Sequence, residues 1–127
     1  MQRYWAYSCR AHFVSAIAGE RSGILSPVGE PIACTTNYFN FVSATVNLDC
    51  RVCHLDYNGK PLRDMKQKYG PKVKMMDPGY LGSVLISSET DEFTIDDVVR
   101  EFKIEVLDDY MARALAHHHN PANIEKL

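Results

Sequence analysis

The sequence has 127 residues, of which 46% are hydrophobic and 24% are charged, and its formal net charge is -2. This composition is typical of one globular domain, and it lacks the clustered Lys and Arg residues that a nucleic-acid-binding surface requires. No run of about 18 apolar residues is present, so we expect no membrane span. From the charge pattern and the hydropathy together, we expect neither a nucleic acid nor a membrane as a partner.

The first half of the chain predicts one helix and several strands. Residues 2–11 have apolar side chains at helical spacing. Residues 12–18 are apolar with almost no alternation, which is typical of a strand covered on both faces. Residues 22–36 predict a β-hairpin, because Ser26-Pro27-Val28-Gly29 has the Pro and Gly positions of a type I turn. Residues 41–48 alternate more regularly than any other segment and predict a further strand.

The segment after this strand predicts shorter elements. Residues 49–60 are interpreted as irregular, and they end at the turn signal Asn58-Gly59. A short helix is predicted from Pro61, the first helical residue, to Tyr69. Residues 73–76 and 82–87 predict two short strands.

The C-terminal part predicts one kinked helix or two consecutive helices. Residues 94–97 form a capping box with Asp in place of the usual Glu. Two apolar stripes at helical spacing follow, and both are expected to face the core: Ile95, Val98, Val99, Phe102; and Val106, Leu107, Tyr110, Met111, Ala114, Leu115. We therefore expect a single domain over residues 1–116 and a polar tail over 117–127, in which His117–His119 is not a metal site.

The predicted elements are few for a complete layered domain. About five short strands and three helices offer little material to cover a sheet on both faces. We therefore expect this chain to pack against further chain or against a partner.

The resemblance to a known family rests on residues 5–49. The motifs that carry it are, in chain order, Trp5, Cys9-Arg10-Ala11, Phe13-Val14-Ser15-Ala16, Gly19, Ser22, Gly23-Ile24-Leu25-Ser26-Pro27-Val28-Gly29-Glu30, Ile32-Ala33 and Val42-Ser43-Ala44-Thr45-Val46-Asn47-Leu48-Asp49. In this order they resemble the C-terminal portion of a carbon–nitrogen hydrolase of the nitrilase superfamily. Residues 50–116 resemble the C-terminal extension of some members more loosely.

The resemblance implies an α/β fold that forms part of an α-β-β-α sandwich, with short strands, a β-hairpin and C-terminal helices. Family members usually form dimers, and they hydrolyse amide or nitrile C–N bonds with a Glu base, a Lys and a Cys nucleophile. Those three residues precede the Arg-Ala helix, so none of them can be transferred to this chain. By this alignment Cys9 lies in the helix after the nucleophile, and Ile17-Ala18 stands where members commonly have an Asn.

We therefore expect no catalytic, cofactor-binding or metal-ligating residue in this chain and no cofactor. Its expected partner is the remaining part of the hydrolase chain or a second copy in a homo-oligomer. The N-terminus lacks the apolar core of a secretory signal, so we expect a cytoplasmic protein with reduced cysteines.

Two alternatives stay open from the sequence. One is a non-catalytic interaction module that associates through an exposed sheet face. The other is a small redox, zinc or haem protein, because Cys50-Arg51-Val52-Cys53-His54 fits the Cys-x-x-Cys-His pattern of c-type haem attachment. The missing export signal and the surrounding strand patterns weigh against haem, and a zinc site would need two more ligands.

Overall fold

Two small antiparallel sheets and four helices make up the computed structural model, which describes residues 1–124. The helices are α1 (Gln2–Cys9), α2 (Gly59–Tyr69), α3 (Ile95–Phe102) and α4 (Leu107–His118). The strands are β1 (Phe13–Ser15), β2 (Gly23–Leu25), β3 (Pro31–Cys34), β4 (Cys50–His54), β5 (Val73–Met76) and β6 (Ser83–Ser88). Short 3-10 turns lie at Gly70–Lys72 and Pro121–Asn123. The first sheet has the order β1-β2-β3 and the second has the order β4-β6-β5.

The predicted hairpin is confirmed and supplies β2, the central strand of the first sheet, and β3, one of its edge strands. The Gly29 N–H donates to the Ser26 carbonyl at 2.8 Å, which closes the turn between β2 and β3. Gly29 has a φ of +78°, and a Cβ at this position would lie 3.2 Å from the Arg3 carbonyl of α1. Both facts favour glycine, because it alone adopts positive φ freely and leaves room for the helix.

The second sheet packs one face against α2 and α3. This face carries Cys53 from β4, Val84 and Ile86 from β6, and Val73 from β5. The helices cover it with the buried side chains Leu62, Met65, Ile95 and Val98. The first predicted helical stripe is confirmed here, since Ile95 and Val98 are buried against the sheet.

The other face of the second sheet joins the two halves of the chain. Val52 and Leu85 contact Val28 of the hairpin turn and Leu107 of α4, and all four are buried. The second predicted stripe is only partly confirmed, because Leu107 is buried whereas its later members lie largely at the surface of α4.

Two strand predictions are wrong in this structure. Only Phe13–Ser15 of the predicted strand 12–18 pairs with β2, and the Val14 side chain is 72% exposed rather than covered. Residues 41–48 form no ladder with any strand among the described residues. Alternation shows that a segment suits a sheet, but a strand also needs a neighbour to accept its hydrogen bonds.

Other boundaries also differ from the predictions. The segment interpreted as irregular contains β4, and α2 begins at Gly59, two residues before Pro61. The helical region after Thr94 is two separate helices, since Lys103 ends α3 in the left-handed conformation. The predicted tail begins within α4, which continues to His118, and residues 125–127 of that tail lie outside the described residues.

The chain is thus mixed α/β with short strands, a β-hairpin and C-terminal helices, as expected at that level. Within residues 1–124, no helix has both the length and the apolar character needed to cross a membrane.

Candidate functional site

The Cys-x-x-Cys-His motif lies on a strand, β4, rather than on a helix or loop. Successive side chains of a strand point to opposite faces. Cys50 and His54 therefore share the face that points toward the hairpin, whereas Cys53 points into the core beneath α2 and α3. Two thiols on opposite faces cannot both bond one haem edge or ligate one metal ion.

Burial also makes both thiols poor nucleophiles and poor metal ligands. Loss of solvent raises the pKa of Cys53 to about 12, and it also raises the pKa of the half-buried Cys50. The nearby Arg51 guanidinium opposes both shifts but is the smaller effect. The thiolate is the reactive and ligating form, so neither cysteine is activated near neutral pH.

The His54 imidazole is held by neighbours on the hairpin-facing side of β4. Its ring stacks on Tyr110 of α4, with centroids 3.9 Å apart and planes 3° apart. Its Nδ1 accepts the Asp56 backbone N–H at 3.1 Å, and the Tyr110 hydroxyl donates to the Asp56 carboxylate at 3.1 Å. This arrangement connects β4 to α4, which is a structural use of the histidine.

Within residues 1–124 there is no group of three or more His, Cys, Asp or Glu side chains placed to hold a metal ion. Absorption in the visible range and a zinc assay on the purified chain would test the redox, zinc or haem alternative directly.

Cys9 is exposed at the last residue of α1, and Cys34 lies at the end of β3. All four cysteines are free thiols.

Residues 38–48, which we call the unpaired segment, contain the exposed large side chains of Tyr38, Phe39, Phe41 and Leu48. Tyr38 is 95% exposed, Phe41 72% and Leu48 75%. The Phe39 and Phe41 rings contact each other edge to face, with centroids 6.4 Å apart. Exposed apolar groups that lie close together are a common feature of contact surfaces.

Both ends of the unpaired segment are anchored to the folded part of the chain. The Thr36 hydroxyl accepts the backbone N–H groups of Tyr38 and Phe39 at its start. At its end, the Asn47 amide donates to the Ser88 carbonyl at 2.6 Å. The segment is therefore held in place although no described strand pairs with it.

The first sheet has an open edge as well. β1 pairs with β2 on one side, and no described strand pairs with its other side. Its unpaired backbone groups, next to the exposed Val14 side chain, form a template for strand addition. The sequence led us to expect that this chain packs against further chain or a partner. It could not locate the open surfaces, because these depend on which strands pair with each other.

Comparisons of the chain with protein-family models, curated protein sequences and solved structures found no match.

Proposed function

We propose that this chain is the C-terminal structural portion of a carbon–nitrogen hydrolase of the nitrilase superfamily and is not catalytic on its own. Its role is to complete an α-β-β-α sandwich, to support the substrate pocket and to supply oligomer contacts. Its partner is the remaining part of the hydrolase chain or a second copy of the assembled protein, in the cytoplasm.

The observation that carries the proposal is the unpaired segment. It has the alternation of a strand, it is anchored at both ends, and its large apolar side chains are exposed. Burial of these side chains is favourable by roughly 25 cal/mol per Å² of apolar surface. A strand and a covering layer from the rest of a hydrolase would supply both the hydrogen-bond partners and the burial.

The hairpin supports the same proposal. The Ser-Pro-x-Gly-Glu sequence that the resemblance uses forms a closed turn, whose Ser26 hydroxyl also accepts the Glu30 N–H at 3.2 Å. The turn is buried between α1 and the second sheet, so it organises the contact between the two halves of the chain. These residues therefore have structural roles, as the proposal requires.

A hydrolysis assay tests the absence of catalysis. The purified chain is incubated with short aliphatic amides and nitriles, and released ammonia is measured against a buffer blank. We expect no release above the blank. Hydrolysis that is lost in Cys9→Ser and kept in the matched Cys34→Ser variant would overturn the proposal.

The second candidate function is an interaction module without any hydrolase parent, and the open edge of β1 favours it. The coding sequence upstream of Met1 separates the two. A Glu, a Lys and a Cys at family spacing supports the hydrolase portion, whereas a stop codon supports the separate module. Hydrogen exchange adds a physical test, because residues 41–48 should become protected when the upstream-encoded segment is co-expressed.

A further inference from the structure

A cavity of about 230 Å³ lies between the hairpin, the unpaired segment and one face of the second sheet. Met76 and Leu85 form its apolar floor, and Ile32 of β3 covers one side. The volume is below the range of roughly 300–1,000 Å³ that is typical of drug-sized ligands. The cavity therefore suits a small molecule with a short apolar body.

The sheet register places three of the lining side chains side by side. Ser87 pairs with Cys50 on one side and with Lys74 on the other, so these three side chains form a row on one face. The next row along the strands consists of Val52, Leu85 and Met76; it contacts the hairpin turn and α4, and its Leu85 and Met76 also line the cavity. Cys50 of the row that contains Ser87 packs against the same cluster, whereas Lys74 and Ser87 do not, and all three side chains line the cavity.

Two opposite charges line this cavity without pairing with each other. The Glu89 carboxylate accepts hydrogen bonds from the Ser87 hydroxyl at 2.6 Å and from the Asn47 amide at 3.3 Å. The Lys74 ammonium has no ion pair with any residue of the described chain, whereas the neighbouring Lys72 pairs with Glu92 at 2.6 Å. Lys74 is therefore an uncommitted cation at the rim.

The other titratable groups of the cavity are neutral near pH 7. Burial lowers the pKa of His12, which keeps its imidazole uncharged. Burial raises the pKa of Cys50, which keeps its thiol protonated. Lys74 and Glu89 are then the two charges that a ligand meets, one of each sign.

We propose that this cavity binds a free α-amino acid with a branched apolar side chain, of the size of leucine. The carboxylate of the ligand pairs with Lys74, its ammonium pairs with Glu89, and its side chain lies on the floor of Met76 and Leu85. A simple carboxylic acid would leave Glu89 facing an anion, and a simple amine would leave Lys74 facing a cation. The proposal does not depend on the scaffold role proposed above.

The test is a titration of the ¹⁵N-labelled full chain with L-leucine, followed by amide chemical shifts. We expect saturable shifts at Lys74, Ser87 and Glu89 with a Kd of about 1 mM or tighter. Lys74→Met and Glu89→Gln should each weaken binding about tenfold or more, because each removes a charge-assisted contact. Both side chains are exposed, so far-UV circular dichroism should remain unchanged.

The matched control variants are Lys72→Met and Glu92→Gln, which remove an ion pair outside the cavity and should leave the affinity unchanged. Two leucine analogues probe each charge separately. The analogue without the amino group, 4-methylpentanoate, and the analogue without the carboxylate, 3-methylbutylamine, should each bind about tenfold more weakly than leucine.

Three results would overturn the proposal. The first is the absence of saturable shifts with leucine, and the second is equal affinity in the wild-type chain, Lys74→Met and Glu89→Gln. The third is an analogue that binds as tightly as leucine. Alkylation of the wild-type chain adds a further check that needs no variant. Leucine should slow the alkylation of Cys50 and leave that of Cys9 unchanged. Equal rates of Cys50 alkylation with and without leucine would contradict the proposal.

Discussion

Asn58 connects the loop after β4 to the linker between α3 and α4. Its side-chain amide donates to the His54 carbonyl at 2.7 Å and to the Glu105 carbonyl at 2.9 Å. Its side-chain oxygen accepts the Glu105 N–H at 3.0 Å. The residue is 2% exposed, so no solvent replaces these hydrogen bonds if the side chain is removed.

We expect Asn58→Ala to lower the free energy of unfolding by about 3 kcal/mol, because it leaves partly buried donors and acceptors at Glu105 and His54 unsatisfied. Urea unfolding followed by circular dichroism measures this. The matched variant Asn40→Ala removes an exposed asparagine and should change stability by less than about 0.5 kcal/mol. Equal effects of the two substitutions would contradict the role assigned to Asn58.

Cys53 provides a second prediction at the scale of one residue. Burial raises its thiol pKa to about 12, so almost no thiolate forms at mildly alkaline pH. In the native chain we expect iodoacetamide to modify the exposed Cys9 and to leave Cys53 unmodified, as measured by peptide mass spectrometry over time. In denaturant both should react. Rapid native modification of Cys53 would mean that β4 is not covered by α2 and α3.

At the scale of an element, α3 begins with a reciprocal cap. The Thr94 hydroxyl accepts the Asp97 N–H at 3.3 Å, and the Asp97 carboxylate accepts the Thr94 N–H at 2.9 Å. Asp49, just before β4, accepts the Ile95 N–H at 3.0 Å and so links the helix start to the second sheet. The cap was predicted from residues 94–97, whereas the Asp49 contact depends on tertiary structure.

Loss of the hydroxyl should weaken this helix start. We expect Thr94→Ala to lower the free energy of unfolding by about 1 kcal/mol, the usual cost of removing such a cap. The Thr94→Ser variant keeps the hydroxyl and should lie within about 0.5 kcal/mol of the wild type. Thermal and urea unfolding of the three chains check the order, and a Ser variant as unstable as the Ala variant would show that the methyl group matters instead.

The same cap predicts a pH dependence. Hydrogen bonds from the Thr94 N–H and hydroxyl, with a smaller contribution from Arg100, lower the pKa of Asp97 from its usual 3.8. A lowered pKa stabilises the folded chain above 3.8, and this contribution is lost as the pH falls through the folded-state value. We therefore expect Asp97→Asn to be destabilising at neutral pH and its difference from wild type to shrink as the pH falls below 3.8 and through the lowered folded-state pKa.

Urea unfolding of both chains at several pH values measures this difference. The control Asp91→Asn changes an exposed carboxylate of the preceding loop and should show little difference at any pH. A difference between Asp97→Asn and the wild type that stays constant over the whole range would contradict the charged cap.

Local signals therefore predicted the elements that local contacts determine. The hairpin follows from its turn residues and the start of α3 from its cap, and both were predicted correctly. β4 was missed because Val52 and Cys53 are buried on opposite faces, so the strand shows no apolar–polar alternation. The unpaired segment shows the reverse, since it alternates well but has no described strand beside it.

The candidate sites follow the same rule. The Cys-x-x-Cys-His pattern was visible in the sequence, but its two thiols proved to lie on opposite faces of a strand. Lys74 and Glu89 carry no sequence motif and are 15 positions apart in the chain. The register of β5 and β6 pairs Lys74 with Ser87, two residues before Glu89, and both charged residues line the same cavity. Such a juxtaposition arises from strand pairing, which spacing along the chain does not encode.

At the scale of the whole molecule, the second sheet is covered on much of both faces, whereas the first sheet and the unpaired segment remain open. One face of the second sheet packs on α2 and α3, and the other contacts the hairpin turn and α4. The open surfaces lie in the N-terminal half, which also carries the motifs on which the proposed hydrolase assignment rests. The N-terminal half therefore carries the exposed apolar surface on which the proposed partner contact rests.

This asymmetry predicts association of the isolated chain. Phe41 and Leu48 expose most of their side chains, and their burial between molecules is favourable, so the weight-average mass should rise with protein concentration in sedimentation experiments. The double variant Phe41→Ser, Leu48→Ser should remain monomeric over the same range. The matched variant Leu115→Ser removes a 56% exposed leucine from α4 and should associate like the wild type. A chain that is monomeric at every concentration, or a Leu115→Ser variant that alone abolishes association, would show that the unpaired segment is not the contact surface.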